Sequence, residues 1–297
     1  MIMKKLLLLL ATLFCAVPLF AQDDVVEEQE EGGLVDGIVA RQHIKNKKNM
    51  EPAYVREANV LWSKTIWRMI DLREKQNLYL YYPVSSSVDS RRSLARVLCD
   101  AIAAGELEAY NPIADNEFDM KLSSTEFMQN LGLLGDGQEP DSIQEVNPET
   151  GELETKYVFE SSNVKYDQIK KFLVKEVWFF DRKYGRLDVR IIGLCPIREY
   201  MNEEGTQRRQ AQCFWVYYPE AAKFLCRQEA YSFKNDAQRS SIHDCLQMRL
   251  FGSYVFKESN VYNNRTISEY AQGLVQNIEA DRIENEIFKK EHDMWEF

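Results

Sequence analysis

A strongly β-forming run in the second half of the sequence constrains the fold more than any other feature. Residues 172–180 are rich in β-branched and aromatic side chains, residues 183–185 have the composition of a turn, and residues 187–194 alternate charged with apolar side chains. This order predicts an antiparallel β-hairpin. Residues 213–218 predict a further strand, so the chain should contain a small, mostly antiparallel sheet.

The region before this hairpin opens with helical spacing. From Tyr54 onward, apolar residues recur at steps of three and four and predict an amphipathic helix. The apolar stripe of this helix consists of Val55, Ala58, Trp62, Ile66 and Met69. Trp67 falls off the stripe by about one residue's rotation, roughly 100°, and should therefore face a second surface.

Two shorter elements follow. Residues 78–82 predict an aromatic strand that ends at Pro83, and residues 94–102 return to helical spacing, with Gly105 as a stop signal. A helix–strand–helix unit is the expected arrangement of this first half.

The C-terminal third is predicted to be mostly helical. Residues 242–251 have helical spacing, and a second helix should open at Thr266, because Glu269 stands three residues later at the spacing of a capping box. Apolar residues from Ile267 to Ile287 should continue along one face of that helix. The fold class is therefore α+β, with helices flanking a small, mostly antiparallel sheet.

A stretch without apolar periodicity divides this pattern. Residues 132–163 gather glycine, proline, asparagine and acidic residues, which are turn formers. Loops longer than about 15 residues are usually functional or disordered. We therefore expect a long loop or linker here, between an N-terminal α/β lobe at 50–131 and a C-terminal α+β lobe at 164–297.

The N-terminus has the pattern of a secretory signal peptide over residues 1–21. Lys4 and Lys5 precede an apolar run that is too short for a membrane anchor, and Ala21 suits cleavage. Residues 22–49 are first acidic and then basic, with few apolar side chains at the start, and should form a disordered tail. The expected location is the periplasm.

Charge excludes one class of partner. Removing the signal peptide leaves 35 of the 37 Lys and Arg residues against 47 Asp and Glu, a formal charge of −12. Nucleic-acid binding requires a basic patch, so we expect no nucleic-acid partner. No later stretch reaches the ~20 apolar residues of a membrane span, so the mature chain should be soluble.

Catalytic and metal-binding patterns are weak. His243 and Cys245 are the best candidates for a catalytic pair of base and nucleophile. However, side chains on a helix rotate by about 100° per residue, so two residues this close in sequence point in different directions. Residues 291–293, Glu-His-Asp, also point in different directions on a helix and lack a second ligand cluster. We predict no catalytic, cofactor-binding or metal-binding residue and no cofactor.

Cysteine usage agrees with a chain that builds its own core. Five cysteines remain in the mature chain, and their odd number leaves at least one without a disulfide partner. These are Cys99, Cys195, Cys213, Cys226 and Cys245. Their wide spacing indicates buried apolar cysteines with at most one or two bridges, and the pairing is left open.

Several blocks of the sequence, in order, resemble one family. LWSKTIWRMIDLREK at 61–75 is similar to the tryptophan-bearing opening motif of the GldN/PorN proteins. The resemblance continues in KEVWFFD at 175–181, DVRIIG at 188–193, KESNVY at 257–262 and EHDMWE at 291–296. It runs from about residue 50 to the end, whereas the glycine-rich part of 132–163 matches no family block.

The resemblance implies a non-enzymatic structural component of the type IX secretion and gliding motility machinery. Such a protein forms a periplasmic ring, in several copies, with an outer-membrane lipoprotein of the GldK/PorK type. It also contacts the periplasmic arm of an inner-membrane motor protein of the GldM/PorM type. The resemblance thus places the chain at the inner face of the outer membrane.

Aromatic residues, 12% of the chain, serve cores first and protein interfaces second. Trp67, Trp295 and Phe297 are our candidates for interface anchors, because of their off-stripe or terminal positions. Two other classes of function stay open. The chain could be a periplasmic module that binds a glycan or ligand, with an aromatic pocket, or a secreted hydrolase built on His243 and Cys245.

Overall fold

The structure is a computed structural model, and it describes 47–84, 91–112, 117–134, 142–146, 153–157, 161–201, 207–232, 235, 237–238 and 240–294. The described residues belong to one compact unit. The predicted signal peptide and the predicted tail up to residue 46 lie outside the described residues.

Ten strands are formed by the described residues. They are β1 (Val60–Asp71), β2 (Ser142–Val146), β3 (Leu153–Tyr157), β4 (Ile169–Asp181), β5 (Arg186–Met201), β6 (Arg208–Gln212), β7 (Val216–Tyr217), β8 (Glu229–Ala230), β9 (Ser240–Ser241) and β10 (Tyr254–Glu258). The main sheet has the order β10-β1-β4-β5-β6, β7 pairs with β5, and all of these pairings are antiparallel.

Seven α-helices accompany the strands in the described part of the chain. They are α1 (Leu78–Tyr81), α2 (Leu94–Ala103), α3 (Ser124–Leu131), α4 (Tyr218–Leu225), α5 (Ile242–Gln247), α6 (Ile267–Tyr270) and α7 (Leu274–Asp293). The α+β class, the antiparallel sheet and the helical C-terminal region are confirmed.

The predicted hairpin is present as β4 and β5. Gly185 closes it with φ of 61°, a left-handed conformation that glycine adopts without steric cost, and its N–H donates to the carbonyl of Asp181 at 2.8 Å. The third strand predicted at 213–218 is shorter than expected, because β7 spans two residues and α4 begins directly after it.

The helix predicted at 94–102 is present as α2. The Ser93 hydroxyl accepts from the Arg96 N–H at the N-terminus, and Gly105, with φ of 72°, follows the helix at its C-terminal side. The capping box predicted at Thr266 and Glu269 is present and opens α6. These helix boundaries follow from side chains within a few residues of each end.

The amphipathic helix predicted from Tyr54 is wrong, because this segment forms β1. β1 is an inner strand that pairs with β10 on one side and β4 on the other, and residues 66–70 are all buried. A strand covered on both faces has a continuous apolar run, and so loses the alternation that identifies a strand in sequence.

The strand predicted at 78–82 is also wrong, since α1 occupies 78–81. The buried side chain of Asn77 explains the turn: its Nδ2 donates to the carbonyls of Asp71 and Gly252, at 2.7 and 2.9 Å. One hydrogen bond within the turn and one to a distant segment thus fix a compact conformation that propensity alone does not indicate.

The division into two lobes is not seen. β1 comes from the predicted N-terminal lobe, yet it lies between β4 and β10 of the predicted C-terminal lobe, so both halves share one sheet. The segment 132–163 also contains regular structure, since β2 and β3 form an antiparallel hairpin. Its strands are five residues each, too short for a clear periodic signal.

The sheet has two different faces. Ile66 and Ile70 point to one face, where α2, α4 and α5 cover Ile70 and its neighbours, while α6 and α7 cover Ile66 and Val255. The opposite face of β1, β4 and β5 carries Trp67, Leu173 and Cys195; we call it the Trp67 face.

Candidate interaction surface

Exposed large apolar side chains are most concentrated near the end of the described chain. Seven of them lie between residues 261 and 288, with exposed fractions from 38% to 90%. They are Val261, Tyr262, Tyr270, Leu274, Val275, Ile278 and Phe288, which we call the C-terminal apolar surface. Single exposed apolar residues are ordinary, but a concentration of them marks an interaction site.

The long helix α7 has apolar side chains on opposite sides. Ala280, Ile283 and Ile287 are buried against the sheet, which occupies one side of the helix. At about 100° per residue, Leu274 and Ile278 lie on the other side. The outer side of α7 therefore presents apolar side chains that the fold itself does not cover.

The predicted single apolar face from Ile267 to Ile287 is wrong. Gly273, with φ of 61°, interrupts the chain between α6 and α7, so the two helices do not continue one face. Leu274 and Ile278 are consequently 74% and 58% exposed, whereas Ile283 is fully buried.

Charged residues hold α7 on the sheet. The guanidinium of Arg68, 6% exposed on β1, pairs with Glu284 of α7 and donates to the Ser253 hydroxyl at 2.9 Å. Arg282 of α7 lies 3.7 Å from a carboxylate oxygen of Glu258 on β10. These contacts fix the inner side of the helix, which leaves its outer side available.

Two tyrosines and an arginine extend the surface before α7. The Arg265 guanidinium stacks on the rings of Tyr262 and Tyr270, at 4.5 and 4.7 Å from their centroids. The Tyr270 hydroxyl donates to Glu279 of α7 at 3.2 Å. Tyrosine and arginine are among the residues that contribute most to protein–protein interfaces.

The structure places Trp67 in the core. Its ring is 3% exposed, it shares a hydrophobic cluster with Met69 and Leu173, and its Nε1 donates to Glu117 Oε1 at 2.7 Å. The expectation of a second surface assumed a helix, and β1 is a strand. The prediction that Trp67 anchors a partner therefore loses its structural basis. Trp295 and Phe297 lie outside the described residues.

The candidate catalytic residues do not form an activated pair. His243 Nδ1 lies 2.9 Å from the Tyr218 hydroxyl, and Asp244 caps α5 by accepting from the Ser241 N–H at 3.0 Å. Burial raises the pKa of the Cys245 thiol to about 11, which keeps it protonated near neutral pH.

No group of three or more potential metal ligands occurs among the residues that the structure describes. The five cysteines at positions 99, 195, 213, 226 and 245 are all buried and form no disulfide with one another. Within the described ranges, no helix is both long and apolar enough to cross a membrane.

An α+β fold with an uncovered apolar surface is typical of a protein that binds or assembles with others. The chain belongs to the GldN family: the family model "Gliding motility associated protein GldN" matches residues 55–296. No curated protein matches the sequence. The family is a periplasmic, structural component of the gliding motility and type IX secretion machinery.

Sequence reasoning missed the exposed side chains of α7, although one signal was present. Residues 274–293 carry apolar side chains at Leu274, Ile278, Ile283, Ile287 and Phe288, which cannot all share one side of a helix. A helix with apolar side chains on two sides is either buried on both sides by its own fold or covered on one side by another protein.

Proposed function

We propose that this chain is a non-enzymatic structural component of the type IX secretion and gliding machinery. In this proposal it forms a periplasmic ring complex with an outer-membrane lipoprotein of the GldK/PorK type. It also contacts the periplasmic arm of a motor protein of the GldM/PorM type. Family membership supports the machinery, and the C-terminal apolar surface is the observation that supports a stable protein contact.

The C-terminal apolar surface is the side by which the chain binds the lipoprotein in this proposal. Exposed apolar area contributes roughly 25 cal/mol per Å² when it is buried against a partner. Leu274 and Ile278 provide such area on a rigid helix, so little conformational entropy is lost on binding. Trp295 and Phe297, which follow α7 by two and four residues in the sequence, remain candidate anchors in this proposal.

The same proposal includes a location for the mature chain, at the periplasmic side of the outer membrane. Cleavage near Ala21 would release it into the periplasm, and the lipoprotein would hold it at the inner face of the outer membrane. N-terminal sequencing of the chain purified from envelopes tests the first step, with Gln22 as the expected first residue.

Co-purification from crosslinked envelope membranes tests the assembly. The tagged mature chain should be recovered in a large complex that contains the lipoprotein. Ile278→Asp should lower that recovery roughly ten-fold, because it puts a charge into the apolar contact. Met248→Asp is the matched control, since Met248 is 56% exposed and Ile278 58%.

Recovery of the unmodified chain as a free monomer, with the rest of the machinery intact, would refute the assembly. It would favour the alternative of a periplasmic module that binds a glycan or ligand, which soluble-glycan titration of the purified chain would then test. Equal recovery of both aspartate variants would refute the role of the C-terminal apolar surface.

A further inference from the structure

A row of side chains crosses the Trp67 face and carries more positive than negative charge. Lys257 on β10 and Lys175 on β4 are the two cross-strand neighbours of Trp67 on β1. Their Nζ atoms lie 4.0 and 5.3 Å from the centroid of the Trp67 ring. Both cations therefore sit against one buried indole.

Among the described residues, Glu117 is the one carboxylate that pairs with members of this row, and both of its oxygens already accept a hydrogen bond. Glu117 Oε2 accepts from Lys175 Nζ at 2.6 Å, and Oε1 accepts from Trp67 Nε1 at 2.7 Å. Among the described residues, no carboxylate lies within ion-pair distance of Lys257 Nζ. Among the described side chains that pair within this row, there are thus two cations and one anion.

Lys257 is partly buried, so the excess of positive charge in the row is not an ordinary feature of an exposed surface. Its side chain is partly buried, and burial, together with the nearby Lys175 ammonium, lowers its pKa, whereas Glu117 and Glu269 oppose the shift. A partly buried charge without a counterion destabilises a fold. Such a group is expected where a partner supplies the counterion.

The surroundings of Lys257 resemble an interface more than an ion site. Phe118 and Phe256 are half-buried beside the row, and Phe118 lies against Gly193 of β5, where a Cβ would come within 2.5 Å of its ring. Phe118 lies beside Lys175, whose Nζ is 5.6 Å from the centroid of its ring. Aromatic rings beside charged groups exclude water and strengthen a charge-assisted hydrogen bond.

We propose that Lys257, supported by Trp67 and Lys175, binds a carboxylate of an acidic segment of a protein partner. A carboxylate carries one negative charge, which matches the one uncompensated positive charge of the row. A phosphate would bring more negative charge next to Glu117, and the net charge of −10 disfavours an anionic membrane surface. This inference rests on the proposed function, since the partner belongs to the assembled complex.

Zero-length carbodiimide crosslinking of the complex from envelopes tests this site, with mass spectrometry to locate the links. The expected result is a bond between Lys257 and an Asp or Glu of another protein. Lys257→Gln should also lower recovery of the complex roughly ten-fold. Lys170→Gln is the matched control, because Lys170 Nζ lies 5.0 Å from the Tyr81 ring centroid.

Stability of the isolated mature chain separates binding from folding. Lys257→Gln removes a partly buried charge, which favours folding, and also the contact of Lys257 with the Trp67 ring, which opposes it. Because the two effects oppose each other, the variant should unfold at nearly the same urea concentration as the unmodified chain. Lower stability would overturn the inference, because Lys257 would then serve the fold itself.

The two proposals fail in different ways. A complex that forms without any crosslink from Lys257 to another protein, or that Lys257→Gln leaves intact, overturns the carboxylate site alone. A chain that is recovered without any partner overturns the assembly and this site together.

Discussion

At the residue scale, one fully buried carboxylate of the sheet is matched by two donors. Glu176, fully buried on β4, accepts from Arg249 Nη1 at 2.8 Å and from Trp178 Nε1 at 3.1 Å. Removing one member of such a set leaves the other uncompensated, at a cost of several kcal/mol. Lys257 departs from this pattern, which is why it points to a missing partner.

Trp67→Ala should destabilise the fold by about 3–5 kcal/mol, because it removes a nearly fully buried indole from a packed cluster. Urea denaturation measures the loss. Trp67→Phe is the control: it keeps most of the apolar volume but loses the hydrogen bond to Glu117, at about 1–3 kcal/mol. A Trp67→Ala chain with unchanged stability and no partner binding would restore Trp67 as an interface anchor.

His243 should make stability depend on pH near neutrality. Burial lowers its pKa below the 6.5 of the unfolded chain, and the neighbouring Asp244 opposes this shift. As pH falls through about 6.5, the unfolded state binds a proton that the folded state excludes, so stability decreases. Between about pH 7.5 and 5.5, the unmodified chain should lose more stability in urea than His243→Gln. Equal losses would show that His243 is not the responsible group.

At the element scale, sequence located the elements whose signals are local. The helix α2 has its cap at Ser93 and its stop at Gly105, and the β4–β5 hairpin has Gly185 in its turn. The helix predicted from Tyr54 is wrong because β1 is defined by its pairing with two strands from distant parts of the chain, while side chains from other elements cover both of its faces. In α7, residues 274 and 278 have the spacing of a helical apolar face, but they are exposed and do not belong to the core.

The two sides of α7 should respond differently to the same substitution. Ile283→Ala, on the buried side, should cost about 2–4 kcal/mol in urea denaturation. Ile278→Ala, on the exposed side, should change stability by less than about 0.5 kcal/mol yet reduce recovery of the lipoprotein complex. If Ile278→Ala destabilises the isolated chain as much as Ile283→Ala, the outer side of α7 belongs to the core.

At the scale of the whole molecule, sequence predicted the class and the family but not how the halves combine. The composition of residues 132–163 differs from that of their surroundings, which suggests a boundary between lobes. The pairing of β1 with β4 and β10 cannot be recognised from the residues of β1 alone. The interface residues could not be predicted from sequence for the same reason. Trp67 is buried, and the exposed side of α7 can be identified only when the residues of the core are known.

A sheet shared by both halves should make unfolding cooperative. Tryptophan fluorescence and far-UV circular dichroism should therefore show one transition with the same urea midpoint. Ile70→Ala, at a fully buried position of β1, should lower the free energy of unfolding by about 2–5 kcal/mol and lower both midpoints equally, because β1 supports the helices that pack on that face. Two separate transitions, with only the first moved by Ile70→Ala, would show instead that residues 50–131 and 164–297 are stable apart. The shared sheet would then be a docking contact between two lobes.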